Sequence, residues 1–271
     1  MQPGTATPHA VQVVAHRGAA DGVAEHTLEA YERAIADGVD AVECDVRLTA
    51  DCVPVCVHDR RIQGLPHGDG LVSALQLGEP DRDRGGVLTL ARLLELVASV
   101  DRRVEVAIET KHPTRFAGLV ERRLVEVLDR FGWASPPSAR HSPVRVMSFS
   151  RLSLRRMRQL APAVPAVFLR ERPSWLRGGA NVPTGVQIAG PSIDLVRARP
   201  DLVGRLHARG IGVHVWPVDR PDDVELCWRL GVDAVITDTP RQVLGRLGRP
   251  DGSCSASACT CTVSGSPPPG I

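Results

Sequence analysis

A chain of 271 residues is long enough to bury a sizeable core, as one large domain or two small ones. Its 33 Lys plus Arg stand against 31 Asp plus Glu, so no general field for a polyanion is present, and this argues against nucleic acid as a main partner. Seven cysteines in a domain this size read as free thiols rather than a disulfide framework, and no run approaches the ~18 apolar residues of a membrane span. With no basic-then-apolar leader at Met1–Thr5, the expected location is the cytoplasm.

Residues 1–10 read as a loose lead-in and residues 11–247 as one folded domain. A strand at Val11–Ala15 ends in His16-Arg17-Gly18, and a helix from about His26 to Ala36 closes at Asp37-Gly38. The second strand, Ala41–Val46, sends Glu43 and Asp45 to one face and Val42, Cys44 and Val46 to the other. It continues into a hairpin about Ala50-Asp51-Cys52, returns as Val53–Val57, and is expected to bring His58 roughly opposite Asp45. A polar, Gly-rich insertion to Gly86 follows, placed to form a flap over the site.

Helical spacing resumes at Leu90–Val97. The strand Val104–Thr110 has Glu105, Ala107 and Glu109 on one face, with Lys111 next on that face. Then come a helix at Arg115–Phe131, a strand at Val144–Phe149, a helix at Leu152–Leu160 and a strand at Ala166–Leu169. A short segment near Trp175 and a strand at Gly185–Ile188 follow, then a helix at Ile193–Arg209 and a strand at Gly212–Val218. A helix at Asp222–Leu230, a strand at Ala234–Thr237 and a short helix complete the pattern. Eight parallel-type strands alternating with helices predict an α/β fold, a closed (βα)8 TIM barrel with a small hairpin extension after strand 2. An open doubly wound sheet is the alternative, but no Gly-x-Gly-x-x-Gly follows the first strand. Residues 248–271, rich in Ser, Gly, Cys and Pro and holding Cys254, Cys259 and Cys261 without regular ligand spacing, read as a disordered tail.

The charged residues gather at strand ends, where α/β proteins keep their chemistry. Glu43, Asp45 and Glu109 offer oxygen ligands from two strands, a set that suits one divalent cation, Mg²⁺ or Ca²⁺, better than zinc. Lys111 either meets a phosphate oxygen or balances these carboxylates. His16 and His58, flanking them, are candidates for acid/base work because histidine titrates near neutral pH. Arg17 serves either a surface ion pair or a phosphate grip. Trp216 is open between a core role and stacking on substrate. His67, His112, His141, His207 and His214 have no such company and read as structural or exposed.

The ordered set His16-Arg17-Gly18, Glu25-His26-Thr27, Glu43-Cys44-Asp45, His58-Asp59, Ile108-Glu109-Thr110-Lys111, Val215-Trp216-Pro217-Val218-Asp219 and Gly231 to Pro240 resembles the glycerophosphodiester phosphodiesterase family from about Val11 to Leu244. The resemblance implies a TIM barrel and metal-dependent hydrolysis of glycerophosphodiesters to sn-glycerol 3-phosphate and an alcohol. It places Glu43, Asp45 and Glu109 on the cation, His16 and His58 as general acid and base, and Arg17 and Lys111 on phosphate. The first nucleophile is then a neighbouring glycerol hydroxyl or water. The chain departs from the family pattern at His26, usually Asn, at Cys52, usually Gly, and at Pro217 and Asp219, where Thr and Asn are usual. Cys52 is expected to strain its turn, and Pro217 and Asp219 to touch substrate choice. Two further readings stand beside this one. The first is a phospholipase D-like relative acting on lysolipid or sphingolipid head groups, which needs an apolar rim. The second is a catalytically silent phosphometabolite-binding barrel, which would not need two histidines.

Overall fold

β1 (Gln12–Ala15) is flanked by both the second and the last strand of the sheet, and that double pairing closes the barrel. The computed structural model describes residues 11–63, 70–78, 87–171 and 182–249. After β1 come α1 (Leu28–Ala36), β2 (Ala41–Leu48), β3 (Pro54–Cys56), the short β4 (Arg61–Ile62) and β5 (Gly70–Leu71), α2 (Leu90–Ala98), β6 (Glu105–Thr110) and α3 (Leu119–Arg130). β7 (Val144–Ser148), α4 (Arg151–Leu160), β8 (Ala166–Arg170), β9 (Ile188–Pro191), α5 (Ile193–Ala198) and α6 (Asp201–His207) follow. β10 (Gly212–Val215), α7 (Pro221–Leu230), β11 (Ala234–Thr237) and α8 (Pro240–Arg246) complete the order. Eight of these strands pair in parallel around the ring β1-β2-β6-β7-β8-β9-β10-β11, and β3 adds antiparallel to β2. This is the (βα)8 barrel with a hairpin extension that the sequence predicts.

Strand alternation sorts the core into two shells. Val42, Cys44, Val46, Val106 and Ile108 point outward and pack under the helices with Leu90, Leu93, Leu124 and Leu128. Inside the ring, Val14, Ala41, Ala107, Met147, Val167, Leu169, Ala234 and Ile236 form a separate apolar belt. Each large side chain buried in this way contributes about 1.5–3 kcal/mol. Glu43 and Asp45, two and four residues past Ala41, and Glu109, two past Ala107, share the inward face of the belt and rise above it at the strands' C-terminal ends.

Four expectations are corrected in detail. The helix expected at Ile193–Arg209 is two, because Pro200 lacks an N–H and bars helical geometry at Arg199, which sits at φ −143°, ψ 71°. The strand expected at Gly185–Ile188 runs instead over Ile188–Pro191. Gly185 turns the chain at φ 77°, while position 190, in the strand beside Leu169, takes glycine because a Cβ there would come within 2.7 Å of Leu169 Cδ2. α3 begins at Leu119 rather than Arg115. His58 lies one residue past the position facing Asp45, since Val57 N–H donates to the Asp45 carbonyl at 2.9 Å.

The described part of the insertion does not line the cavity that holds the two histidines. Val72 and Leu77 pack with Val55 and Val87 against the hairpin, so the expectation of a flap over the site is not met among the described residues. The segment near Trp175, His67, the lead-in and the Cys-containing tail lie outside the described residues. No helix among the described residues is long and apolar enough to cross a membrane.

Candidate active site

β2 and β6 are in register with Asp45 opposite Glu109, so alternation alone brings three carboxylates to one end of the barrel. Glu43, Asp45 and Glu109 are all buried, and an oxygen from each lies within 4.8 Å of the others. Lys111 sits between two of them, with Nζ 3.1 Å from Asp45 Oδ1 and 3.0 Å from Glu109 Oε1. Arg17, held at φ 55°, gives its backbone N–H to Glu43 Oε2 at 3.1 Å and brings Nε to 3.0 Å from Asp45 Oδ2. Its Nη1 grips both oxygens of Glu25. Gly18 follows at φ 92°, where any Cβ would strike Ala30 at 2.7 Å, so the turn that delivers Arg17 requires glycine.

The positive charge is unequally shared. Burial opposes ionisation of Asp45, but the His26 hydrogen bond and the charges of Lys111 and Arg17 outweigh it and hold Asp45 far below the usual carboxylate range. Glu43 goes the other way, pushed well up by burial and by the charges of Asp45 and Glu109. Burial and Asp45 likewise push Glu109 up to about 7, against the pull of Lys111. Two of three clustered carboxylates thus hold their protons too tightly for a site balanced by its own cations. An all-oxygen set in that condition fits a hard divalent cation.

The two histidines reach this cluster from different sides. His16 Nδ1–H donates to Asp238 Oδ1 at 2.6 Å, which leaves Nε2 facing Glu43, 3.9 Å from Oε2. The hydrogen bond from His16 holds Asp238 below its ordinary range, so the aspartate stays an acceptor. His58 Nδ1–H donates to Asp59 Oδ1 at 2.9 Å. Burial pushes the His58 imidazole down, and Lys111 and Arg17 add to that against the opposing pull of Asp45.

His16, Arg17, Glu43, His58, Glu109 and Lys111 share one cavity of about 380 Å³, whose far wall is Met147, Phe149, Leu169, Glu171, Trp216 and Pro217. Trp216 has contacts on both sides of the barrel mouth. It packs on the inner apolar belt and donates Nε1–H to the Gly190 carbonyl at 2.8 Å, while lining the cavity edge-on to Phe149. Pro217 lines the cavity as well. Asp219 does not; it accepts from Thr237 Oγ1 and from the Asp238 N–H, both at 2.8 Å, and so shapes the loop that carries Asp238. An influence of Asp219 on substrate choice would therefore act through that loop.

Two residues that had no assigned role belong to the site. Asp238 follows the last residue of β11, and barrel closure lays that end beside His16, whose N–H donates to the Thr237 carbonyl at 2.8 Å. Its signal in the sequence is the adjacency of first and last strands in a closed ring. His26, at φ 57°, donates Nε2–H to Asp45 Oδ2 at 3.1 Å, and its Nδ1 lies 2.8 Å from the Tyr31 hydroxyl. The other histidines among the described residues lie outside the site: His112 pairs with Glu121, His141 with Ser138, His207 with Asp233, and His214 is buried in the barrel.

Residues 16–242 match the model of the glycerophosphoryl diester phosphodiesterase family. "Probable glycerophosphodiester phosphodiesterase 1" of Mycobacterium tuberculosis is 41% identical over 259 residues, covering 89% of this chain and 94% of that one. A crystal structure of a glycerophosphodiester phosphodiesterase from Parabacteroides distasonis superposes with a TM-score of 0.71 at 25% identity, covering 88% of this chain and 97% of its own. A phosphodiesterase from Oleispira antarctica, solved in complex with the product sn-glycerol-3-phosphate, shares the fold with a TM-score of 0.71 at 22% identity, over 88% of this chain and 96% of that one.

Proposed function

The chain belongs to the glycerophosphoryl diester phosphodiesterase family, and on that premise we propose that it hydrolyses glycerophosphodiesters to sn-glycerol 3-phosphate and a free alcohol, with a divalent cation held by Glu43, Asp45 and Glu109. The observation that carries this reading is the single cavity lined by His16, His58, Glu43 and Glu109, with Asp45 clustered behind the two glutamates. The cation, when bound, supplies Lewis-acid polarisation of a phosphoryl oxygen. Arg17 and Lys111 line the same cavity and balance charge on the other oxygens. His58, whose environment favours neutral imidazole, takes the proton of the nucleophile, which is water or a neighbouring glycerol hydroxyl whose cyclic phosphate water then opens. His16, oriented by Asp238, presents Nε2 to the cavity and gives its proton to the departing alcohol.

The lysolipid reading draws on one feature. Phe149, 42% exposed, follows β7 and gives one side of the cavity an apolar edge. The silent-barrel reading gains nothing, since both histidines face the cluster.

Release of sn-glycerol 3-phosphate from glycerophosphocholine and glycerophosphoethanolamine, assayed with EDTA, Mg²⁺ or Ca²⁺ beside His16→Ala, is the test. Cation-dependent turnover that falls by about 10²–10⁴-fold in the variant is the expected result. Turnover of lysophosphatidylcholine alone would favour the lipid reading, and none with any substrate or cation the silent barrel.

A further inference from the structure

Lys111 also lines a second cavity. On the hairpin side of the mouth a space of about 370 Å³ is walled by Arg47, Arg60, Ser73, Lys111, Thr114 and Arg115. Among the described residues its lining carries four cationic side chains and no carboxylate, beside the apolar Leu71, Val72 and Phe116. Arg60 and Arg115 are exposed, and neither has an ion-pair partner among the described residues. The Arg60 guanidinium donates Nη2–H to the Pro113 carbonyl at 3.4 Å, which anchors it at the rim. Arg47 gives Nε–H and Nη2–H to the His58 carbonyl at 2.9 and 2.7 Å, so one wall of this cavity is bonded to the backbone of a proposed catalytic histidine. Lys111 already pairs with Asp45 and Glu109, whereas no ion pair holds Arg47, Arg60 or Arg115 among the described residues, and like charges gathered this way repel one another. An anion with several oxygens relieves that, and guanidinium forks match phosphate.

The opposite end of the catalytic cavity has the reverse character, with Glu171 beside Phe149 and Trp216. Glycerol suits that end, because its hydroxyls donate to a carboxylate and its CH faces lie on an aromatic ring. A further anion would be repelled there by Glu171. With phosphorus between the two ends, at the carboxylate cluster, the esterified alcohol is directed past Lys111 toward the arginines.

We propose that the arginine-walled cavity is a subsite for a second phosphate carried by the alcohol half of the substrate, so that diesters with a phosphorylated leaving alcohol are preferred. The inference rests on the proposed diester hydrolysis and specifies its substrate class. Its volume accommodates a phosphorylated polyol.

Rates of sn-glycerol 3-phosphate release are compared for glycerophosphoinositol and glycerophosphoinositol 4-phosphate, using the full chain loaded with its cation. The expected result is a kcat/KM about tenfold or more higher for the phosphorylated diester. This advantage shrinks as salt rises, collapses toward unity in Arg60→Ala/Arg115→Ala and is partly kept in Arg60→Lys/Arg115→Lys. If a free ion is what the cavity holds, inorganic phosphate inhibits both diesters alike and no preference is seen, which overturns the subsite. Equal kcat/KM in wild type and variant would also overturn it and leave the hydrolase reading standing. Calorimetric binding of inositol 4-phosphate decides the subsite even without turnover of either diester. Binding lost in the double alanine variant supports it, and binding absent or unaffected refutes it.

Discussion

One barrel holds two charged layers, and β6 supplies a carboxylate to each. Glu105 and Glu109 share its inward face, four residues or about 13 Å apart, with the apolar belt between them. At the floor, Arg145 Nη1–H donates to Glu105 Oε2 at 2.8 Å and to Gln12 Oε1 at 3.0 Å, while Arg103 takes the other oxygen of Glu105 at 2.7 Å. Nearby, burial and the charge of Arg145 push His214 well down, so it stays neutral. Positive charge is plentiful there and the carboxylate is fully partnered. The mouth inverts this: three carboxylates share Lys111 and Arg17, and two of them are driven toward their protonated forms. The same strand pattern thus yields a closed ion pair where the barrel needs a plug and an open one where it needs a ligand. What separates structure from chemistry is whether the charge is already answered.

Breaking the floor tests the structural half. Arg145→Ala leaves Glu105 with only its exposed partner and opens space inside the ring, so a loss of about 3–5 kcal/mol in chemical denaturation is expected. Turnover per folded molecule should be unchanged, because the belt lies between floor and mouth. A variant that folds well but hydrolyses poorly would join the two layers and end the comparison.

The mouth is probed by pH. Glu109 stands at about 7 against an ordinary 4.5, so the folded, cation-free protein holds this proton more tightly than the unfolded chain. Its contribution therefore falls as pH rises from 4.5 through 7, by on the order of 3 kcal/mol, and Glu43 adds in the same direction. A cation replaces the proton, so the gap in Tm between cation-loaded and EDTA-treated protein should widen across this window. A constant gap would mean that Lys111 and Arg17 already satisfy the cluster.

Much of this was legible before any coordinates. Period-two alternation put Glu43, Asp45 and Glu109 together, and turn chemistry placed the hairpin that brings His58 to the mouth. Alternation could not say that Glu105 and Glu109, on one face, serve opposite ends, since that depends on where the belt lies. Nor does local pattern reveal Asp238 as the partner of His16, a contact between residues 222 positions apart that only closure creates. His26 stood out as a departure from the family pattern, but its left-handed backbone and its reach to Asp45 are tertiary facts.

His26 sharpens the mouth further, since it touches Asp45 from the protein side. His26→Ala removes the hydrogen bond to Oδ2 and takes away the Tyr31 hydroxyl's contact at 2.8 Å. Partners of this kind orient a ligand, so cation affinity measured by calorimetry should weaken about 10–100-fold. His26→Asn, the residue usual in the family, should recover part of it. Unaltered affinity in both would confine His26 to packing.

Cys52 lies in neither layer and sets the scale for ordinary strain. It closes the β2–β3 hairpin at φ 65°, in the left-handed region that disfavours a side chain, and its thiol meets the Ala50 carbonyl at 3.9 Å and the Arg123 side chain. Cys52→Gly relieves about 1 kcal/mol of strain, part of which is offset by the greater freedom glycine has when unfolded. The expected result is a Tm raised by at most about 2–4 °C with turnover unaltered. A lower Tm would show that packing of Cys52 beside Arg123 in the shallow cleft under the hairpin outweighs the backbone term. In that case the departure from glycine is maintained by side-chain contact, and the hairpin that carries His58 owes its position to packing as well as to its turn.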